Sequence, residues 1–415
     1  MEVLLILLAI AAFLGVVLEE VIHVNKAKVV LLFGALAWML MFIFAPDLAH
    51  REKVEAALEH NITDIASLWL FLLATMTFVA YLNKKGLIEN LVHAILPRRI
   101  TERKLLFLIG IFAFVFSSIA DNITATLVSV ALILSLKMDA RKNLKFATLV
   151  VFAVNSGGVA MITGDVTTLM IFLEGHVQIA NLLLLSLPAL MAVLLLATLL
   201  SRGMSGEVLV EKNGARAIRK VDQGIAMIFM ATILCTILGS FFYGIPPVLT
   251  FLTGLAIMFL VARFFNEDID NDPILEYIRI IEFETLLFFL GVLLVVGMLQ
   301  FIGTLEGLTH LYNIMPSLVA NYLMGLLSAL IDNVPLTAAL LKANLQMNTA
   351  EWMGLTYAVG VGGSLLVIGS AAGIVAMSKI SSLTFASYFR SLFALLVAFT
   401  VGFLAVYGLG LVLGG

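Results

Sequence analysis

Hydrophobic and polar positions in this chain segregate over whole segments. Apolar runs fall at 3–18, 29–45, 65–82, 146–173, 182–200, 224–242, 247–262, 285–301, 350–377 and 387–413. Runs of this kind fit helices crossing about 30 Å of hydrocarbon, so ten transmembrane spans are predicted. Two further apolar regions, 105–136 and 317–341, each carry an Asp-Asn pair: Asp121-Asn122 and Asp332-Asn333. As one straight helix, 105–136 would be about 48 Å long, too long for a single crossing. Its flanks are basic on both sides, with Arg98, Arg99, Arg103 and Lys104 before it and Lys137, Arg141, Lys142 and Lys145 after it. Both ends therefore belong in one compartment, and a re-entrant hairpin turning at Asp121 satisfies length and charge together. The second region is read as a second hairpin.

The charges orient this arrangement. In a ten-span topology with an outside N-terminus, all but three of the 24 Lys and Arg residues (Arg51, Lys53 and Lys342) fall on the cytoplasmic side. Both termini are then expected outside, with the first hairpin entering from the cytoplasm and the second from the opposite face. The chain also repeats. Asp121-Asn122 matches Asp332-Asn333; Asn155-Ser156-Gly157-Gly158 and Gly164-Asp165 match Gly360-Val361-Gly362-Gly363 and Gly369-Ser370; Gly86-Leu87-Ile88-Glu89 matches Gly303-Thr304-Leu305-Glu306. Five spans per half is an odd number, so the second half must be inverted. The predicted organisation is a first repeat over 1–201, a polar, basic cytoplasmic linker over 202–223, and an inverted second repeat over 224–415.

Composition agrees. The 415 residues are 62% hydrophobic and 12% charged, the balance of an all-α polytopic membrane protein. A net charge of -3 without basic runs argues against a nucleic-acid partner. One cysteine, Cys235, excludes an internal disulfide framework and any Cys-built metal site. The first apolar run lacks a basic leader and ends on Glu19-Glu20, so it is expected to be a retained helix. The acidic run 266–272 lacks the turn glycine and ligand pattern of a calcium loop and reads as a solvated connector.

The chemistry gathers where the hairpin tips and the two Gly-broken spans meet. Around the first tip we place Asp121, Asn122, Thr124, Asn155, Ser156, Asp165 and Thr167; around the second, Ser328, Asp332, Asn333, Thr337, Ser364 and Ser370. Broken helices at the midplane free backbone groups that must line a cavity or bind something. Oxygen ligands with carboxylate charge suit hard monovalent cations such as sodium or lithium, with the ion expected at Asp121, Asn122, Asn155, Asp165, Asp332 and Asn333. No Lys or Arg lies in the interior of a predicted span, Arg390 falling in the first turn of the last, so Asp121, Asp165 and Asp332 are expected to be protonated or cation-bound. Exclusive occupancy by one or the other, exposed to each side in turn, is cation/proton exchange. Asp165, with Asn155 and Thr167, is assigned the competition, and Asp332 with Asn333 a second cation or structural role. Capping of the hairpin arms is a further role for Asp121 and Asp332. No cofactor is expected.

Glu20 and His23, an i, i+3 pair at the inner end of the first span, are candidates for pH sensing, with interfacial anchoring as the alternative. Asp64 is expected at the outer interface, and Trp38, Trp69 and Trp352 in packing.

Four stretches carry a family resemblance: Gly15-Val16-Val17-Leu18-Glu19-Glu20-Val21-Ile22-His23-Val24-Asn25-Lys26, Ser117 to Thr126, Asn155 to Thr168, and Asp332-Asn333-Val334-Pro335. In these the chain resembles the NhaD sodium/proton antiporters of the ion transporter superfamily over nearly its whole length. The resemblance implies exchange of sodium or lithium for protons in the bacterial inner membrane, a scaffold-plus-transport-domain fold similar to that of dicarboxylate transporters, and a homodimer. Those relatives carry Ser-Asn-Thr at the hairpin tips, where this chain has Asp-Asn. Two rivals stand: a sodium-coupled anion or metalloid transporter on the same fold, and an intramembrane aspartyl protease. The latter is disfavoured because Ile162-Thr163-Gly164-Asp165 lacks the first glycine of Gly-x-Gly-Asp.

Overall fold

A computed structural model describes residues 2–17, 24–87, 90, 97, 99–136, 138–209, 218–265, 281 and 283–414. Glu20, His23 and the whole acidic run 266–272 lie outside them. Helices dominate: α1 (Glu2–Val17), α2 (Lys26–Ile43), α3 (Leu48–Lys84), α4 (Glu102–Ile119), α5 (Asn122–Ser135), α6 (Ala140–Gly158), α7 (Val166–Leu173) and α8 (Ile179–Leu200) form the first half. The second comprises α9 (Lys220–Tyr243), α10 (Pro247–Phe264), α11 (Phe283–Phe301), α12 (Glu306–Ile314), α13 (Ser317–Ser328), α14 (Asn333–Lys342), α15 (Thr349–Gly362), α16 (Ala371–Lys379), α17 (Phe385–Phe389) and α18 (Leu392–Gly414).

Seven described helices, α2, α3, α8, α9, α10, α11 and α18, are long and apolar enough to cross a membrane. This is a polytopic membrane architecture. Of the ten predicted spans, α1 is shorter at 16 residues. Runs 146–173 and 350–377 are each broken in two where their glycines fall: α6 stops at Gly158 before α7, and α15 gives way to a 3-10 turn over Gly363–Leu365 before α16. The run predicted at 65–82 begins earlier, because α3 is 37 residues long. Its first half carries Arg51, Glu52, Lys53, Glu55 and Glu59, all exposed, and the sequence disguises it as a loop. Both regions expected to turn at Asp-Asn are interrupted there: α4 ends at Ile119 before α5, and α13 ends at Ser328 before α14.

The helices sort into two packed groups. In the first, α2 lies along α11, α3 along α10 and α11, and α9 along α10. Phe71 meets Phe251 at 4.5 Å and Phe78 meets Phe229 at 4.9 Å between ring centroids. Indole nitrogens of Trp38 and Trp69 donate to the carbonyls of Leu294 and Leu286, so these tryptophans serve packing as expected. Trp352 stacks on His176 with centroids 3.7 Å apart. The second group gathers the broken helices: α4 on α6, α13 on α15, α8 and α18 on each other, α5 on α16, and α7 on α14.

Local geometry repeats between the halves. The Ser117 hydroxyl donates to the Val154 carbonyl, and that of Ser328 to Val359. Gly157 presses on the Phe114 carbonyl, and Gly362 on that of Gly325. Gly86 and Gly303 both take left-handed backbone, at φ 73° and 75°, just past α3 and α11. A two-stranded antiparallel sheet pairs β1 (Arg99–Thr101) with β2 (Glu207–Leu209), Ile100 opposite Val208, and ties the linker to the start of α4. Buried Glu102 secures it by accepting from the Gly206 amide and from Lys142 at 2.7 Å.

Candidate functional site

Four N-termini of the broken-helix group, those of α5, α7, α14 and α16, converge on one cavity of about 240 Å³. Each begins with a side chain that accepts from its own first turn, as an N-terminal cap must to satisfy free amides. Asp121 caps α5, taking the Thr124 amide at 2.9 Å and its hydroxyl at 2.7 Å. Asp165 caps α7 through Oδ1 and the Thr167 amide at 3.2 Å. Asp332 caps α14 through Oδ1 and the Val334 amide at 3.3 Å. Ser370 caps α16 through the Gly373 amide at 3.3 Å. The capping role expected for Asp121 and Asp332 is therefore present, and Asp165 shares it.

Two side-chain bonds link the halves. Asp165 Oδ2 accepts from Asn333 Nδ2 at 3.3 Å, and Asn155 Nδ2 donates to Ser370 Oγ at 3.2 Å and to the Val151 carbonyl. The Asn333–Asp165 and Asn155–Ser370 bonds each join a residue of one half to a residue of the other. Asn122 completes the wall. Its amide is best satisfied with the nitrogen donating to Ser117 Oγ, the Val154 carbonyl and the Gly164 carbonyl, which turns its carbonyl oxygen away from them. Both Asn122 and Asp165 press on Gly158, where a Cβ would come within 2.7 Å of one and 3.0 Å of the other.

Of the thirteen residues proposed from sequence, Asp121, Asn122, Asn155, Asp165, Asp332, Asn333 and Ser370 line the cavity. The other six do not. Thr124 braces Asp121. Ser328, Thr337 and Ser364 spend their hydroxyls on the carbonyls of Val359, Asn333 and Val361. Ser156 and Thr167 are fully buried with hydroxyl oxygens that have no protein partner, as is Asn155 Oδ1. Thr167 Oγ1 and Asp165 Oδ2 both approach the α-carbon side of Gly360, each 3.7 Å from where its Cβ would stand. Gly360 must stay bare because Val159 Cγ1 fills that side, 2.2 Å from where a Cβ would stand.

One expectation is corrected. The sequence suggested that no basic side chain could reach the three aspartates, yet Lys26 Nζ lies 2.9 Å from Asp332 Oδ2, with side-chain exposures of 19% and 13%. Lys26 opens α2, at what reads in the sequence as a loop boundary, and folding points its ammonium into the cavity over the Phe288 ring, 4.4 Å from the centroid. Asn25 and Glu284, joined at 2.6 Å, form the adjacent rim and were likewise missed. The one available signal was the Asn25-Lys26 pair inside the first of the four family-like stretches.

A second cavity of about 210 Å³ lies at the other end of α14, lined by Asn61, Asp64, Ser67, Glu174 and Lys342 among others. There Lys342 Nζ pairs with Asp64 at 2.6 Å, and Glu174 stands 4.0 Å away. Asp64, expected at an interface, is an ion-pair partner.

A family model described as a citrate transporter matches residues 3–362. The Na⁺/H⁺ antiporter NhaD of Vibrio cholerae is 31% identical over 96% of this chain and 89% of its own length. The NhaD of Vibrio parahaemolyticus is 32% identical over 85% and 92%. Sodium/proton antiporter 1 of Arabidopsis thaliana is 28% identical over 96% and 71%. With its aspartates and asparagines gathered on one cavity and this similarity running nearly end to end, the chain belongs to the citrate transporter family and, within it, to the NhaD sodium/proton antiporters.

Proposed function

We propose that this protein is a secondary active transporter, not an enzyme, that exchanges Na⁺ or Li⁺ for H⁺, with the cavity carboxylates holding cation or proton in competition. The observation that carries the reading is the donor set. Carboxylates of Asp121, Asp165 and Asp332 share one cavity with amides of Asn122, Asn155 and Asn333, and the buried Asn155 Oδ1 and Thr167 Oγ1 lack protein partners. Unpartnered buried acceptors are costly, and a desolvated monovalent cation satisfies them. Asp165, Asn155 and Thr167 form the competing site, and Asp332 with Asn333 the second.

Paired contacts at matching positions support two inverted repeats, 1–201 and 224–415, joined by the linker 202–223. On that reading α4–α5 and α13–α14 are re-entrant hairpins, and alternating access moves the broken-helix group against the α1–α3 and α9–α11 scaffold. The distribution of Lys and Arg supports an inner-membrane topology with both termini outside, and the resemblance supports a homodimer through the scaffold.

The citrate-transporter description of the family model gives the anion reading its weight, since helix N-termini attract anions. Here three of the four converging N-termini are already occupied by the chain's own aspartates. The cavity lining includes four carboxylates, Asp121, Asp165, Glu284 and Asp332, against one ammonium, and this excess favours cations. Proteoliposomes loaded with a pH-sensitive dye test the choice. Sodium added to an imposed proton gradient should dissipate it, lithium should substitute, and labelled dicarboxylate should not accumulate. Sodium-driven dicarboxylate uptake without proton exchange would reverse the assignment.

A further inference from the structure

Lys26 stands where a transported cation would have to go. Its ammonium contacts Asp332 Oδ2, while Asp332 Oδ1 is committed to the Val334 amide. The neighbouring residue, Asn333, reaches across to Asp165 Oδ2, so Asp332 and the Asp165 corner are two walls of one chamber joined by a single side chain. The ammonium is held from behind by the Phe288 ring at 4.4 Å, a contact that stabilises a cation after it has lost water. Lys26 sits on the first residue of α2, where Asn25 caps the helix through the Ala27 amide at 2.9 Å, so the root of the side chain is fixed while its four-carbon stem swings.

An ammonium and a sodium ion are both compact monovalent cations that a carboxylate oxygen accepts at close range. A carboxylate oxygen in contact with one is unavailable to the other. We infer that Lys26 is a tethered competitor of the transported ion: it occupies Asp332 when the chamber holds no sodium, and sodium must displace it to recruit that carboxylate. This rests on the sodium/proton reading and deepens it. The displaced ammonium stays over Phe288, so the chamber's charge changes by one on ion entry while Asp332 is not left bare beforehand. Such a device keeps Asp332 from standing as an uncompensated carboxylate in the empty carrier, which is costly in a low-dielectric interior.

The test is equilibrium binding of radiolabelled sodium to the purified full-length protein in detergent, with monodispersity checked for each variant. Lys26→Gln removes the competitor and should tighten sodium binding about tenfold. Lys26→Arg supplies a fork that holds a carboxylate through two bonds and should weaken it severalfold. The two signs are opposite, so either variant alone decides should the other fail to fold. Unchanged or weaker binding in Lys26→Gln, or unchanged or tighter binding in Lys26→Arg, overturns the proposal. A long-range charge effect is separated by a cycle with Asp332→Asn: competition at Asp332 requires that Lys26→Gln have no further effect in that background. An equal tightening there would reduce Lys26 to a field effect and overturn the proposal too. Absence of saturable sodium binding in the wild-type protein would instead sink the sodium reading itself.

Discussion

Gly164 immediately precedes Asp165, and a methyl group there measures how tightly the break between α6 and α7 is held. A Cβ on Gly164 would lie 2.5 Å from the Ser117 carbonyl oxygen and 2.9 Å from the Gly158 backbone. To reach 3.0 Å the Ser117 carbonyl must retreat by about 0.5 Å, and to reach a comfortable 3.5 Å by about 1 Å. Both neighbours are backbone atoms, so no side-chain rotation relieves the clash. Overpacking of this kind costs about 1–3 kcal/mol. It should lower the melting temperature of the purified protein by a few degrees. The transport cost should exceed the stability cost, because Gly164 adjoins Asp165 and the same displacement moves a carboxylate of the cavity. Gly164→Ala should therefore show a small loss in a thermal melt and a large loss of sodium-driven proton exchange in proteoliposomes. Gly369→Ala, whose Cβ would meet the Ala329 carbonyl at 2.5 Å, should behave alike. Gly224→Ala, in α9 with nothing within 4 Å, should retain exchange and gain up to about 1 kcal/mol of stability. Gly164→Ala with wild-type turnover and melting would refute the tight junction.

Three further outcomes are expected. Asp165→Asn keeps the shape of the α7 cap but removes a titratable carboxylate, so sodium-dependent proton movement should fall to the background of empty liposomes while the protein remains monodisperse. Tyr81→Phe deletes the hydroxyl that donates to buried Asp222 at 2.6 Å and should cost about 1–3 kcal/mol in a denaturation measurement, with the sodium KM unchanged, since it lies in the scaffold group. Lys342→Gln leaves Asp64, whose side chain is 32% exposed, without its 2.6 Å partner, and should cost about 1 kcal/mol or less because solvent screens the pair.

What the sequence revealed and what it hid divide along a physical line. The Asp-Asn pairs and glycine breaks are local signals: a carboxylate in an apolar run, or a glycine where a helix must stop, declares itself without knowledge of the fold. Seven of the thirteen proposed residues line the cavity for that reason. The hydroxyl residues were harder. Ser328, Thr337 and Ser364 stand among the polar residues of the motifs, yet Thr337 and Ser364 bond carbonyls four and three residues back, an option open to any Ser or Thr in a helix, and Ser328 bonds the Val359 carbonyl on α15. Lys26 was invisible for a different reason. A lysine at a helix start reads as interfacial charge, and only the packing of α2 along α11 carries it to a partner far away in sequence. The charged first half of α3 was concealed likewise, because helix continuity there owes nothing to an apolar run.

The ten-residue helix α14 ends in opposite charges, Asp332 at its N-terminus and Lys342 at its C-terminus, and each is met by its complement on the scaffold, Lys26 and Asp64. Moving one elementary charge through a membrane potential involves about 2.3 kcal/mol per 100 mV. A rod with one negative and one positive end does no net electrical work when it is translated along the field. Movement of α14 therefore adds no voltage sensitivity of its own, which is left to the cargo and to the carboxylates of α5 and α7.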